Sequence, residues 1–64
     1  MSNVERGQRY RQANMPQDVW EVVAILVNGG AFPHARLQRV RDTRDIKTVS
    51  FSALQDKTLF HLVE

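Results

Sequence analysis

A chain of 64 residues makes one small domain, and with no cysteine in it neither a disulfide nor a thiolate zinc site can reinforce the fold. Nine basic against seven acidic residues leave a net charge of only +2, far below that of a dedicated nucleic-acid module. The segment Met1-Ser2-Asn3-Val4-Glu5-Arg6 has no apolar signal core, and no apolar run approaches the ~20 residues of a membrane span, so a cytoplasmic protein without membrane contact is the expectation.

Taken in order, residues 1–6 are polar without a pattern and are expected to be disordered, leaving 7–64 as a single domain. Gly7 to Gln12 alternates around Tyr10, which predicts a short strand with Tyr10 inward and Arg9 and Arg11 outward. Pro16 fixes its own φ and biases Met15 toward extended backbone, so a loop from Ala13 to Asp18 is expected, with no regular element crossing Pro16.

Val19-Trp20-Glu21-Val22-Val23-Ala24-Ile25-Leu26-Val27 is the longest apolar stretch, and its continuity alone does not separate a buried strand from a buried helix. Composition decides. Five of the nine are β-branched and a sixth is Trp, types that lose χ1 freedom in a helix and pack well on a pleated surface. Asn28-Gly29-Gly30 follows as a hairpin signal, since Asn and Gly accept the positive φ such turns need. Asp18 with Glu21 imitates a capping box, the one signal for a helix here.

His34 to Arg41 predicts a third strand, Ala35 and Leu37 on one face and His34, Arg36 and Gln38 on the other. Val40 falls on the wrong parity, which points to a bulge, a twist or the strand's end. Asp42-Thr43-Arg44-Asp45 predicts a turn, because Asp bonds its own backbone two residues on. Ile46 to Phe51 predicts a fourth strand, with Lys47 at the mouth of the fold. Ser52-Ala53-Leu54-Gln55 has the form of a capping box and predicts one turn of 3₁₀ helix. Thr58 to Val63 predicts the last strand. The expected core is Tyr10, Trp20, Val22, Ala24, Leu37, Val49, Phe51, Leu54, Phe60 and Leu62.

Gly7 with Tyr10, Trp20-Glu21-Val22-Val23, and Ser52 with Leu54 follow a pattern of Gly-x-x-Tyr, an aromatic-Glu-Val-Val strand and a Ser-x-Leu turn before the last strand. On these positions the chain resembles short bacterial proteins of SH3-like fold. The resemblance spans residues 7–63 and implies an all-β, five-stranded SH3-like small barrel with one 3₁₀ turn before its last strand; it carries over no functional residue.

Catalysis is not expected. His34 and His61 lie in opposite halves of the chain, and neither Ser50 nor Ser52 sits in the glycine-flanked turn that exposes a serine nucleophile. His34 could approach Asp42 or Asp45 only if the fold brought them together. The four Asp and two His show no zinc or calcium spacing, and Asn28-Gly29-Gly30 does not feed a helix N-terminus, so no metal, cofactor or small-molecule substrate is indicated. The expectation is a non-catalytic binding module with a protein or peptide partner, or a homo-oligomer, through an exposed strand edge such as the last strand. The alternative is RNA or single-stranded nucleic acid on a face carrying Arg9, Arg11, Arg36, Arg39 and Arg41, since Arg suits phosphate and stacks on rings.

Overall fold

The computed structural model describes residues 4–27 and 32–63. Its elements are β1 (Arg9–Gln12), β2 (Met15–Leu26), β3 (His34–Arg39), β4 (Ile46–Ser50), α1 (Phe51–Gln55) and β5 (Phe60–Val63). The strands form one antiparallel sheet in the order β4-β3-β2-β1-β5. The protein is therefore all-β apart from one short helix. Asn28, Gly29 and Gly30, expected as a hairpin turn, lie outside the described residues.

β2 organises the sheet, and its irregularities explain how an almost continuous apolar run is accommodated. Trp20 faces Arg39 and Val22 faces Leu37, but the next pair is Ala24 with Arg36, so Val23 is an extra residue that shifts the register. The parity of the strand reverses there. Trp20 and Val22 point into the core before the bulge and Ile25 packs against it afterwards, whereas Ala24, expected inside, does not belong to the buried set. One bent strand thus supplies a single core from both halves of its apolar run.

β2 also runs through Pro16, contrary to the expected loop. Its register with β1 jumps from Arg11↔Val19 to Gln12↔Met15, leaving Pro16 to Asp18 without facing partners on β1. The missing N–H of Pro16 therefore breaks no ladder bond there.

The core comprises Val4, Tyr10, Trp20, Val22, Ala35, Leu37, Leu54 and Phe60, with Ile25, Val49 and Phe51 packed against it. Val4 belongs to the segment expected to be disordered. A turn brings it in: Gln8 N–H donates to Glu5 O at 3.2 Å, and Gly7 adopts φ 90 at the third position, where a type II turn needs positive φ. Leu62, expected in the core, is 42% exposed, because the core-facing side of β5 at that point lies at the sheet margin. Tyr10 is buried with its hydroxyl donating to Gln8 Oε1, and burial pushes that hydroxyl above the ordinary tyrosine range.

The second hairpin turn forms as expected, Arg44 N–H donating to Asp42 Oδ1 at 3.1 Å and Asp45 N–H to Asp42 O at 3.0 Å. The helical turn differs. It is α1 rather than a 3₁₀ turn, Phe51 belongs to it rather than to β4, and its N-cap is Ser50, whose Oγ accepts from Ala53 N–H at 3.1 Å. The helix contacts both β4 and β5 and drops Leu54 into the core.

Candidate functional site

Three surfaces carry chemistry worth weighing: the outer face of the sheet, the open end of the core around Trp20, and the two sheet edges.

On the outer face, register places Val63, Arg9, Glu21, Gln38 and Ile46 in one row across all five strands. The row is not uniformly basic. Arg9 Nε bonds Glu21 Oε1 at 3.1 Å, so the first expected nucleic-acid residue is paired to a carboxylate at the face's centre. Arg11 lies two residues to one side of the row and Arg36 two to the other, about 16 Å apart by strand geometry. Both are exposed, as is Arg41, and none of the three makes an ion pair with another described residue.

Arg39 is not on this face. Counting from Ala35 and Leu37 it has core parity, and at the end of β3 it turns over the Trp20 ring with its guanidinium carbon 4.7 Å from the centroid. Its Nη1 bonds Asp18 Oδ1 at 2.7 Å and its Nε bonds Asp45 Oδ2 at 2.9 Å. Desolvation works against that charge, but the hydrogen bonds Arg39 donates to Asp45 and Asp18, together with the attraction of the two carboxylates, outweigh it and raise the Arg39 pKa. Its fork is already occupied. The structure thus groups Arg9, Arg11 and Arg36 loosely on one face, leaves Arg41 beyond the end of β3, and removes Arg39 to a clamp.

Lys47 completes the cluster from β4. Its Nζ lies 4.1 Å from the Trp20 centroid and 5.6 Å from that of Phe60, and donates to Gln12 Oε1 at 3.3 Å. The same Gln12 oxygen accepts from Trp20 Nε1 at 3.2 Å. Lys47, expected near a barrel mouth and outside the core, is half-buried with its side chain against the core residues Trp20 and Phe60. What sequence reasoning missed was the clamp itself: Asp18 and Arg39 share core parity with Trp20 and Leu37, and that shared parity was the available signal.

The edges differ in how they are protected. In an antiparallel ladder, facing residues alternate between hydrogen-bonded and non-bonded pairs. Arg39 N–H to Asp45 O and Phe51 N–H to Pro33 O fix the phase of β3–β4, so Lys47 and Val49 direct their backbone to β3 while Ile46, Thr48 and Ser50 direct theirs outward. Lys47, the second residue of β4, has its side chain on the core face, and an inward charge on an edge strand opposes continuation of the sheet. Ala13 N–H to Leu59 O fixes the phase of β1–β5, which turns the N–H and C=O of Leu62 outward. β5 contains no Lys, Arg, Asp, Glu or Pro, and Leu59 and Leu62 are 47% and 42% exposed. It is the unguarded edge.

Elsewhere, an open depression of about 470 Å³ is lined by Arg6, Gly7, Glu21, Val22 and Val23. His34 Nδ1–H donates to Phe32 O and His61 Nε2–H to Lys57 O. His34 starts β3 and Arg39, bonded to Asp45, ends it, about 17 Å away along the strand, so the imidazole and that carboxylate do not meet. Among the described residues no group of three or more His, Asp or Glu is arranged to hold a metal ion, and no helix is long and apolar enough to cross a membrane. Phe32 is 85% exposed, the aromatic most open to solvent; Tyr10, Trp20 and Phe60 are buried. No protein-family model, curated protein or solved structure matches this chain.

Proposed function

We propose that the protein is a non-catalytic binding module on an SH3-like barrel, and that it takes a protein partner, as an extended peptide or a second copy, as an added strand along β5. Support for the barrel is the meander β1 to β4, with α1 between β4 and β5 and β5 returning to pair with β1. Lys47 of one edge strand also reaches Gln12 and Phe60 near the other. The observation that carries the binding reading is the contrast between the edges: β4 has an inward lysine, whereas β5 offers outward backbone groups at Leu62 and no charge. Main-chain pairing would hold the partner and the exposed Leu59 and Leu62 would contribute apolar contact.

A second reading, single-stranded nucleic acid on the outer face, is favoured by one observation, the exposed Arg11, Arg36 and Arg41, which make no ion pair with a described residue. Two features weaken it. Glu21 pairs with Arg9 at the centre of the face, and Tyr10, Trp20 and Phe60, the aromatic residues of its strands, are buried on the core side.

The test is a selection of binders from a random-sequence peptide library against the wild-type protein, with Leu62→Lys as the counter-target and amide NMR to map the contact. Selected peptides are expected to shift the amides of residues 60–63 and to lose affinity for Leu62→Lys. A salt-resistant complex with a mixed-sequence single-stranded RNA, mapped to Arg11 and Arg36, would replace this reading with the second.

A further inference from the structure

We infer that the occupant of the β5 edge is a second copy of this chain, the two β5 strands pairing antiparallel about a two-fold axis at Leu62; the inference rests on the reading of β5 as the binding edge. Two-fold pairing sets a strand against itself, so the strand must accept its own residues as neighbours. A charged edge fails that condition, because like charges meet. β5 reads Phe60-His61-Leu62-Val63 and contains no Lys, Arg, Asp or Glu.

Backbone geometry selects the register. Ala13 N–H to Leu59 O sets a phase in which His61 and Val63 direct their backbone groups to β1, and Phe60 and Leu62 direct theirs outward. Phe60 N–H already donates to Asp56 O at 3.0 Å, so Leu62 is the β5 residue that offers both an outward N–H and an outward C=O. Setting Leu62 against the other copy's Leu62 exchanges both groups, two bonds across the axis. A two-fold register centred on His61 would give the Leu62 C=O no donor, since Phe60 N–H is taken, and would set imidazole against imidazole.

The side chains agree with that register. Leu62 is 42% exposed, and its counterpart across the axis, about 5 Å away at Cβ, would cover it. On the outer face His61 of each copy would oppose Val63 of the other. Arg11, beside His61, and the other copy's Arg9, beside Val63, would then stand three strand spacings or about 14 Å apart, beyond the ~8 Å screening length of physiological salt. Arg9 is in any case bonded to Glu21. Two four-residue strands bury far less than the ~1,200 Å² of a standard stable interface, so the dimer is weak and concentration-dependent.

Sedimentation equilibrium of the whole chain from about 10 μM to about 1 mM is expected to show a mass rising from 7.4 kDa toward twice that value. Leu62→Lys places two ammonium groups at the axis, and Leu62→Pro removes the outward N–H without breaking a bond to β1. Each should weaken dimerisation about tenfold or more, with circular dichroism confirming that the strands remain. In a mixture of isotope-labelled and unlabelled protein, a nuclear Overhauser contact should join His61 Hα of one copy to Val63 Hα of the other, a pair too far apart within one extended strand. A mass that stays at 7.4 kDa throughout overturns the inference, and so does a dimer that keeps its affinity in Leu62→Pro or lacks the His61–Val63 contact. If that monomer still binds library-selected peptides at residues 60–63, the second copy alone is overturned and β5 stands as the binding edge. If it binds none there, both readings fall.

Discussion

Arg39 Nη1 and Asp18 Oδ1 meet at 2.7 Å, with the guanidinium stacked over the Trp20 ring, the carboxylate side chain 8% exposed and the guanidinium side chain 27%. The same Arg39 holds Asp45 in the β3–β4 turn, so one side chain ties the start of β2, the end of β3 and that turn to the indole. Arg44 pairs with Asp42 in the same turn but is 91% exposed. Water competes fully with that second pair and little with the first.

Removing Arg39 strands a buried carboxylate, so Arg39→Met should lower the urea midpoint clearly, whereas Arg44→Met should leave it almost unchanged. Asp18→Asn should cost less than Arg39→Met, because it leaves a neutral amide within reach of a partly exposed cation. Urea melts of the three variants at one pH provide the comparison. A midpoint for Arg39→Met equal to that of Arg44→Met would mean that the clamp contributes nothing to stability.

Leu37 is fully buried opposite Val22, and these are the two largest side chains with almost no exposure. Leu37→Ala removes three carbons from a small core and should cost about 2–5 kcal/mol. A domain of this size is stabilised by only about 3–10 kcal/mol, so that variant should lose a large share of its stability and show a much lower urea midpoint. Leu62→Ala, at a side chain 42% exposed, should change stability by no more than about 0.5 kcal/mol. Circular dichroism with urea separates the two outcomes.

Acid should weaken the fold through carboxylates that are better bonded folded than unfolded. Arg44, by side chain and then backbone N–H, lowers the Asp42 pKa, and Thr58, by hydroxyl and then N–H, lowers that of Asp56. A lowered folded pKa means that the stabilisation is complete above the unfolded value, about 4, and is lost as pH falls through the folded values. Urea midpoints should therefore be level from about pH 6 to 5 and fall below about pH 4, with a shallower fall in Asp56→Asn. An unaltered acid slope in that variant would remove Asp56 from the explanation.

The strands and their order along the chain were legible because composition and turn chemistry agree: β-branched residues fill β2, and Asp42 bonds the backbone two residues on. What was not legible depended on events across strands. Val23 reverses the parity of β2 only because Arg36 on β3 accepts two β2 residues against it, and no period in β2 alone announces that shift. Ala24 and Ile25 consequently exchanged their expected sides. Arg39 read as one of the basic-face arginines gathered toward the second hairpin, and its pairing with Asp18 and Asp45 went unseen because the sheet brings them to it. Val4 looked like tail because a single buried residue behind a glycine turn has no periodicity to display. The outer placement of Arg9, Arg11 and Arg36 followed simple alternation and holds.

The helix cap offers the finest test of where local sequence rules and the structure part. Ser52 and Ser50 both precede a short apolar stretch, and Ser52-Ala53-Leu54-Gln55 has the better capping-box form. The structure instead uses Ser50: its backbone is extended, its Oγ accepts from Ala53 N–H, and Phe51 N–H is free to donate to Pro33 O, tying the helix start to the entry of β3. Ser52 lies exposed inside the first turn with its Oγ 3.2 Å from that of Ser50. Ser50→Ala should thus cost about 1 kcal/mol, the usual worth of an N-cap, and Ser52→Ala under about 0.5 kcal/mol. The amide shifts of Ala53 and Leu54 should move in the first variant and stay in place in the second. The reverse ranking would put the cap at Ser52, return Phe51 to β4, and lengthen by one residue the edge that Lys47 guards.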